Sequence, residues 1–311
     1  MPVPTSVTVV MPTHRRPASL RRALESLGAQ AGPGLAWDVV VVDNDPSAGA
    51  LSMVGQMADS FPVPLRAVHE EHLGAAHARN RGLAEATGDI VAFVDDDVTA
   101  DRHWLATLVE PIVAGRCGGT AGRVVLDPVV ARPRWFDEEG IGGYLARFEP
   151  AIAETPLGPD SYALTANAAF STGALRATGG FDPALGPRGR TQLAGEDNRI
   201  VRDFLAQGAT MHFVPWAVVV HELPPSRLTR RYLLRRAYLQ GRSDWMLDRG
   251  RYIEGRFHGM SGAFSWLATE LRRRRSEGWR RPEVRFHAAT DMVRTAGAVR
   301  QAVSWWWPGA S

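Results

Sequence analysis

Lysine is absent from this sequence, and all 36 of its basic residues are arginine. The chain therefore has no GxxxxGK[ST] phosphate-binding loop, because that motif requires a lysine. It also has no GxSxG and no HExxH, two signatures of hydrolases. Since lysine is missing from solvated positions as well as from sites, its absence indicates a GC-rich, bacterial coding bias and not a mechanism.

Cysteine occurs once, at Cys117, which excludes an intramolecular disulfide framework and any multi-cysteine zinc or iron–sulfur site. The first thirteen residues lack the charged start and the long apolar run of a signal peptide. No stretch approaches 18 apolar residues, so we expect no transmembrane helix. These features favour a cytoplasmic protein, with peripheral contact at the inner face of a membrane as the open alternative.

Apolar runs alternate with helical patterns through the first two-thirds of the chain. This alternation, with short connections, predicts an α/β fold with a mostly parallel central sheet flanked by helices. The segment 128–165 shows no steady period and is typical of a binding loop or lid. We predict a domain over 1–226, divided into a donor-binding half (1–127) and an acceptor half (128–226), and an arginine-rich helical extension over 227–311.

Polar residues follow each of the first four predicted strands, where open α/β sheets bind ligands. The strands end before Thr13-His14-Arg15-Arg16, Asp43-Asn44-Asp45, His69-Glu70-Glu71-His72 and Asp95-Asp96-Asp97. Three adjacent carboxylates repel one another, which favours a cation beside them. Mg²⁺ or Mn²⁺ takes oxygen ligands from carboxylates and phosphates, and an acidic helix cap is the simpler alternative.

Two later positions carry further chemistry. Glu196 and Asp197 open a predicted helix, where a carboxylate serves either as a general base or as a favourable charge on the helix dipole. His221 ends a predicted strand, and a histidine there is either structural or a metal or diphosphate ligand. The glycines of Gly118–Gly122 do not form a GxGxxG, so we predict no dinucleotide fingerprint.

Taken in order, these segments resemble the family 2 glycosyltransferases of the GT-A fold. The resemblance covers about residues 5–222 and rests on six segments: Val9–Arg16, Val41–Ser47, Ala78–Leu83, Gly88–Asp97, Gly179–Asp182 and Gly195–Asp197. It implies an inverting, metal-dependent enzyme that uses a nucleotide-sugar. A UDP-sugar is favoured as the donor, with GDP- and dTDP-sugars as alternatives. The sequence does not distinguish among acceptors: a natural product or a glycan is one expectation, and a lipid carrier or a peptide stays open.

The resemblance also implies residue roles. Asp197 is the expected catalytic base, with Glu196 as the alternative. Asp97 is the expected ligand of Mn²⁺ or Mg²⁺, with Asp95 toward the ribose and the metal and with His221 as a late ligand. The implied donor-binding residues are Thr13, His14, Arg16, Asp43, Asp45, Arg79, Asp95 and Asp96. Asp43-Asn44-Asp45 replaces the family's usual Asp-Asp-Gly-Ser, which bears on the choice of nucleobase.

Charge is divided unevenly along the chain. Residues 1–226 hold 18 arginines against 26 acids, whereas 227–311 hold 18 arginines against 7 acids. The basic Arg272–Arg275 and aromatic Trp305–Trp307 are typical of contact with an anionic membrane surface. Solvated helix faces, a homodimer contact and RNA binding are the alternatives, with nucleic acid the least favoured. Two other readings of the whole chain stay open, a nucleotidyltransferase of related fold and a non-catalytic binding protein.

Overall fold

A computed structural model describes residues 6–32, 34–159, 161–188, 191–247, 259–276 and 278–306. The chain forms two compact units. The sheet unit comprises 1–127, 146–190 and 196–222, and the helical unit comprises 128–145, 191–195 and 223–311. The predicted boundary at 226/227 lies close to one of these divisions, and the functional division of the chain stays a prediction.

The sheet unit is built on a nine-stranded sheet in the order β3-β2-β1-β4-β8-β6-β11-β5, with β7 on β11. The strands of the chain are β1 (Ser6–Thr13), β2 (Ala36–Asp43), β3 (Leu65–His69), β4 (Ile90–Val94), β5 (Val98–Ala100), β6 (Gly119–Leu126), β7 (Thr155–Pro156), β8 (Asn167–Ser171), β9 (Pro187–Arg188), β10 (Thr191–Gln192) and β11 (Met211–His221). Of these, β10 belongs to the helical unit.

The first four strands of the sheet pair in parallel, as the strand–helix alternation predicts. In register, Thr13 faces Asp43 and Asp43 faces His69, so the polar segments that follow these strands meet at one edge. The strand β8 runs antiparallel between β4 and β6, which the sequence pattern did not predict. This strand joins the first half of the sheet to the parallel pair β6–β11.

Helices of the sheet unit cover the sheet through apolar stripes. They are α1 (Pro17–Gly28), α2 (Gly49–Ala58), α3 (Ala75–Glu85), α4 (Trp104–Val113), α6 (Thr172–Ala177) and α7 (Glu196–Ala206). The helix α3 approaches β1 so closely that a methyl group at Gly82 would lie 2.1 Å from Val10 Cγ1. This contact fixes the helix that carries Arg79, one turn earlier, against the centre of the sheet.

The helical unit contains α5 (Glu138–Ile141), α8 (Arg230–Leu247), α9 (Gly259–Ser276) and α10 (Pro282–Trp306), with 3₁₀ turns at Gly142–Leu145 and Pro225–Arg227. The helices α8 and α10 touch through glycines, since a methyl group at Gly241 or Gly297 would lie 2.0 Å or less from a backbone oxygen of the other helix. Residues 307–311, at the end of the predicted helical extension over 227–311, lie outside the described residues.

Candidate active site

The loop after β2 is organised by Asp43 and Asn44. Asp43 is 1% exposed, and its two carboxylate oxygens accept hydrogen bonds from the backbone N–H groups of Asp45 (3.0 Å) and Ala50 (2.7 Å). Asn44 donates to the carbonyl oxygens of Glu70 and His72 and accepts from the N–H of Gly74. The geometry therefore shows that Asp43 orders the loop through these hydrogen bonds. Its contact with a nucleobase stays a prediction.

His14 and Asp45 line the rim of the same edge. His14 is exposed, with its Nδ1 2.9 Å from the carbonyl oxygen of Asn44. Asp45 accepts hydrogen bonds from the hydroxyl and the backbone N–H of Ser47 and from Arg15, and these bonds lower the pKa of its carboxyl group. An exposed imidazole ring beside this loop is available to a planar ligand.

Asp96 and Asp97 face Arg16 at the end of β4. The Nη1 atom of Arg16 lies 3.0 Å from Asp96 Oδ1 and 2.7 Å from Asp97 Oδ2, and the Thr13 hydroxyl donates to Asp96 Oδ2 at 2.7 Å. Burial raises the pKa of Asp96 to about 6, with Arg16 opposing the shift. The arginine thus supplies the positive charge that the adjacent carboxylates require.

His221 completes this cluster from β11. Its Nε2 lies 3.5 Å from Asp97 Oδ1, and both side chains are buried. The backbone holds the pair together, because the N–H of Glu222 donates to the carbonyl oxygen of Asp97 at 2.8 Å. The structure thus places His221 beside the acidic cluster, and its role as a metal ligand stays a prediction.

Arg79 joins the acidic cluster to the start of α7. It is buried, and its guanidinium lies 3.1 Å from Asp95 Oδ1, 3.0 Å from Glu196 Oε1 and 3.7 Å from Asp197 Oδ1. Burial opposes its charge, but the three carboxylates outweigh burial and raise its pKa. A buried arginine with three acidic partners remains charged and holds Asp95 and the Glu196–Asp197 pair at one site.

The two acids of α7 differ in their surroundings. Glu196 is 5% exposed, and burial together with neighbouring Asp197 raises its pKa to about 7. Asp197 is less buried than Glu196 and accepts a hydrogen bond from the Thr165 hydroxyl. Burial also raises the pKa of Asp197, against Arg79 and Thr165. Raised carboxyl pKa values are a common property of groups that exchange protons.

The structure brings most of the predicted site residues to one edge of the sheet. Asp97 lies beside His221, and Asp95 accepts a hydrogen bond from Arg79, so the role of Asp95 as a metal ligand stays a prediction. A divalent cation fits the first pair, since a carboxylate oxygen and an imidazole nitrogen leave the other positions to phosphate and water. The nitrogen donor favours Mn²⁺ over Mg²⁺.

Sequence reasoning missed two residues of this site. Thr165, which hydrogen-bonds Asp197, lies in the segment predicted to be irregular. Asn44 was not among the predicted site residues, yet it ties the loops after β2 and β3 together. Its place between two acids at a strand end is a signal for such a role, because asparagine both donates and accepts.

This fold and this edge of carboxylates define a GT-A glycosyltransferase. Residues 8–179 match the family described as glycosyl transferase family 2. The succinoglycan biosynthesis protein ExoM of Rhizobium meliloti is 31% identical over 81% of this chain and 77% of its own length. The chain belongs to glycosyl transferase family 2 and is a glycosyltransferase.

Two further similarities agree with this assignment. The pre-mycofactocin glycosyltransferase of Mycobacterium tuberculosis is 31% identical over 70% of this chain, a match that spans 42% of that protein. Among solved structures, the mannosyltransferase PcManGT from Pyrobaculum calidifontis, in complex with GDP-Man and Mn²⁺, aligns with a TM-score of 0.65. That alignment covers 98% of this chain and 88% of the mannosyltransferase at 22% identity, and it supports the fold.

Across the described residues, no helix is long and apolar enough to cross a membrane.

Proposed function

We propose that the chain transfers a sugar from a nucleoside-diphosphate sugar to an acceptor hydroxyl with inversion at the anomeric carbon. The observation that carries this proposal is the bridge made by Arg79. It holds Asp95, beside the Asp97–His221 pair, together with the Glu196–Asp197 pair. One site therefore combines groups that can bind a diphosphate with a carboxylate that can accept a proton. Family membership favours this reaction over nucleotidyl transfer and over a non-catalytic role.

In this proposal Asp197 accepts the proton of the acceptor hydroxyl while the hydroxyl oxygen forms a bond to C1. The C1–O bond to the diphosphate breaks, and the diphosphate leaves with the electron pair. Asp197 is the better base because it is the more accessible acid of the pair, whereas Glu196 is 5% exposed and engaged by Arg79. Glu196 then holds Arg79 in place through their ion pair.

Asp97 and His221 would hold the divalent metal, with Asp95 toward the ribose. When bound, Mn²⁺ or Mg²⁺ would neutralise charge that develops on the leaving diphosphate. Arg16 already pairs with Asp96 and Asp97, so its guanidinium is placed to contribute positive charge at the same edge. We propose Thr13, His14, Asp43 and Asp45 as the nucleoside side of the pocket, since they share that edge.

The donor nucleotide is proposed as UDP, with GDP and dTDP as alternatives. Solved structures of the same fold include the mannosyltransferase with GDP-Man and Mn²⁺ and the TarS protein of S. aureus with UDP-GlcNAc. The names of the relatives point to different acceptors, so we propose only a hydroxyl on a glycan or a natural product. Residues 128–226 are proposed to contribute to the acceptor side.

A thermal-shift panel of UDP, GDP, dTDP and CDP, each with and without Mn²⁺, tests the donor proposal. We expect one nucleotide to raise the melting temperature only when the metal is present. A ligand at 100 times its Kd raises the free energy of unfolding by about 2.7 kcal/mol, which is readily measured. No shift with any nucleotide in the presence of Mn²⁺ would contradict a nucleotide-sugar site.

We also propose that the helical unit contacts an anionic membrane surface. Exposed arginines lie at the C-terminal end of α9, at the start of α10 and in residues 278–281 between them, together with Trp279, which is 40% exposed. The arginines are Arg272, Arg273, Arg275, Arg280, Arg281 and Arg285. Tryptophan favours the lipid interface, and each arginine near an anionic surface contributes roughly 1 kcal/mol. Trp307 and the side chains of Trp305 and Trp306 lie outside what the structure describes. The homodimer contact, the alternative role of the helical unit, stays a prediction.

Vesicle sedimentation at low and high salt tests this contact. The wild type should bind vesicles of phosphatidylcholine with phosphatidylglycerol, and not vesicles of phosphatidylcholine alone. The triple variant Arg272→Ala, Arg275→Ala, Arg280→Ala should bind about 10²-fold more weakly, as roughly 3 kcal/mol of attraction is lost. A control with three exposed arginines of the sheet unit replaced (Arg21, Arg81 and Arg102) should bind like the wild type. Equal loss in both variants would indicate net charge alone, and binding to RNA only would indicate a different partner.

A further inference from the structure

Three side chains outside the Asp95–Asp97 cluster converge at the end of β3. The ligand atoms of Glu70, His72 and His77 all lie within 4.8 Å of one another. Among the described residues, no other group of three histidine, cysteine or acidic side chains brings its ligand atoms this close together. The polar segment after the third strand, which the proposed transfer reaction does not use, supplies two of the three residues.

The backbone holds these residues in place before any ligand binds. The N–H of Glu70 donates to the carbonyl oxygen of Asp43 at 2.9 Å, and Asn44 bonds the carbonyl oxygens of Glu70 and His72. His77 is the third residue of α3, and this helix is fixed against β1 by the contact between Gly82 and Val10. A site whose backbone is already ordered loses less conformational entropy when it binds an ion.

The ligand atoms lie near one another and need only a small adjustment to reach the spacing of a metal site. Glu70 Oε1 lies 2.9 Å from His72 Nδ1, and the rings of His72 and His77 stack with centroids 5.4 Å apart. In a tetrahedral zinc site with bonds of about 2.0–2.1 Å, neighbouring ligand atoms are roughly 3.3 Å apart. The His72 side chain is 79% exposed, so a small rotation that brings its nitrogen to this spacing meets little steric resistance.

The ligand types favour a different ion from the Mn²⁺ or Mg²⁺ proposed at Asp97. Two imidazole nitrogens and one carboxylate oxygen match zinc and its neighbours among the transition metals, whereas Mg²⁺ prefers oxygen alone. A hydrogen-bonded surface cluster is the simpler explanation of the same contacts, and it predicts no metal selectivity.

We propose that Glu70, His72 and His77 form a second metal site, which binds Zn²⁺ or a similar transition-metal ion and completes its coordination with water. The bound ion would tie the loop over residues 70–72 to the first turn of α3. Since Asn44 connects this loop to the Asp43–Asp45 segment, the ion would stiffen the edge of the sheet on the nucleoside side. This site is independent of the proposed transfer reaction.

Titration of the full chain with Co²⁺ and Zn²⁺ tests the site, in an Asp97→Asn background that removes the competing ligand. Co²⁺ should give the visible absorption bands of a tetrahedral site, and Zn²⁺ should displace it at one ion per chain. His72→Gln and His77→Gln should each weaken Zn²⁺ binding by at least roughly 10–100-fold, because loss of an outer-shell partner alone costs that much. Excess Mg²⁺ should not compete.

His103→Gln provides the matched control, because His103 is an exposed histidine outside the cluster. This variant should bind Zn²⁺ like its parent. Equal Zn²⁺ affinity in the His77→Gln and His103→Gln proteins would overturn the proposal. So would a Co²⁺ complex with only the weak bands of an octahedral ion. Circular dichroism of each variant separates a lost site from a lost fold.

Discussion

Replacement of Asp197 by asparagine should lower the transfer rate by about 10²–10⁴-fold, the usual contribution of a positioned general base. The protein should remain folded, because the asparagine carbonyl oxygen can still accept the hydrogen bond from Thr165. Arg79 keeps Glu196 and Asp95 as partners. Since burial raises the pKa of Asp197, its charge is disfavoured in the fold, and the neutral amide should leave the melting temperature unchanged or higher.

The pH profile gives a second measurement of the same role. A base must be ionised to accept a proton, so the rate should fall as pH falls through the pKa of Asp197. Because that pKa is raised, the fall should begin at a higher pH than the ordinary aspartate value of about 3.9 predicts. Steady-state kinetics of the wild type between acidic and neutral pH would measure it.

Asp203→Asn is the matched control, since Asp203 lies on the same helix α7 and pairs with Arg199 at the surface. Its rate should stay near that of the wild type. Near-normal turnover in a folded Asp197→Asn protein would place the base elsewhere. If Glu196→Gln then lost activity while Asp197→Asn did not, Glu196 would take that role.

Long apolar runs explain why much of the sheet can be predicted. Val39–Val42 is completely buried between two parallel neighbouring strands. The sequence therefore has no polar residue there, and the apolar run predicts the strand clearly. The strand β6 was missed for the opposite reason. Its Gly122 is required because a methyl group there would lie 2.4 Å from the Asn167 amide and from the Ala217 carbonyl oxygen. That requirement comes from residues more than 40 positions away, and no local pattern reveals it.

The candidate site, like the sheet, depends partly on contacts between residues far apart in the sequence, which no local pattern reveals. Each acidic segment could be predicted because strand ends collect ligand-binding residues. The network around Arg79 could not, since its partner Glu196 is 117 positions away and lies on another helix. The resemblance implies a donor-binding role for Arg79, which stays a prediction, and only the structure shows that Arg79 is buried among three carboxylates. Long-range charge pairing depends on the finished fold, so the sequence shows the charges and not their partners.

Replacement of Asp97 by asparagine should lower the transfer rate on the order of 10²–10³-fold, since charge stabilisation of several kcal/mol converts at about 1.4 kcal/mol per tenfold. Asp97 is the carboxylate that meets both Arg16 and His221, and an amide oxygen is a weaker ligand for a divalent ion. Arg16 retains Asp96 as a partner, so the fold should persist. The variant should also lose the Mn²⁺-dependent thermal shift with the donor nucleotide.

Removal of the metal from the wild type should reproduce this loss. EDTA should inhibit transfer, and added Mn²⁺ should restore it more effectively than Mg²⁺, because His221 offers a nitrogen ligand. Added Mn²⁺ should not restore the Asp97→Asn protein. Asp59→Asn, an exposed acid at the end of α2, should respond to chelator and metal like the wild type. Full activity of the wild type in excess EDTA would refute the metal requirement, and the Arg16 guanidinium would then be the principal cation available to the diphosphate at Asp96 and Asp97.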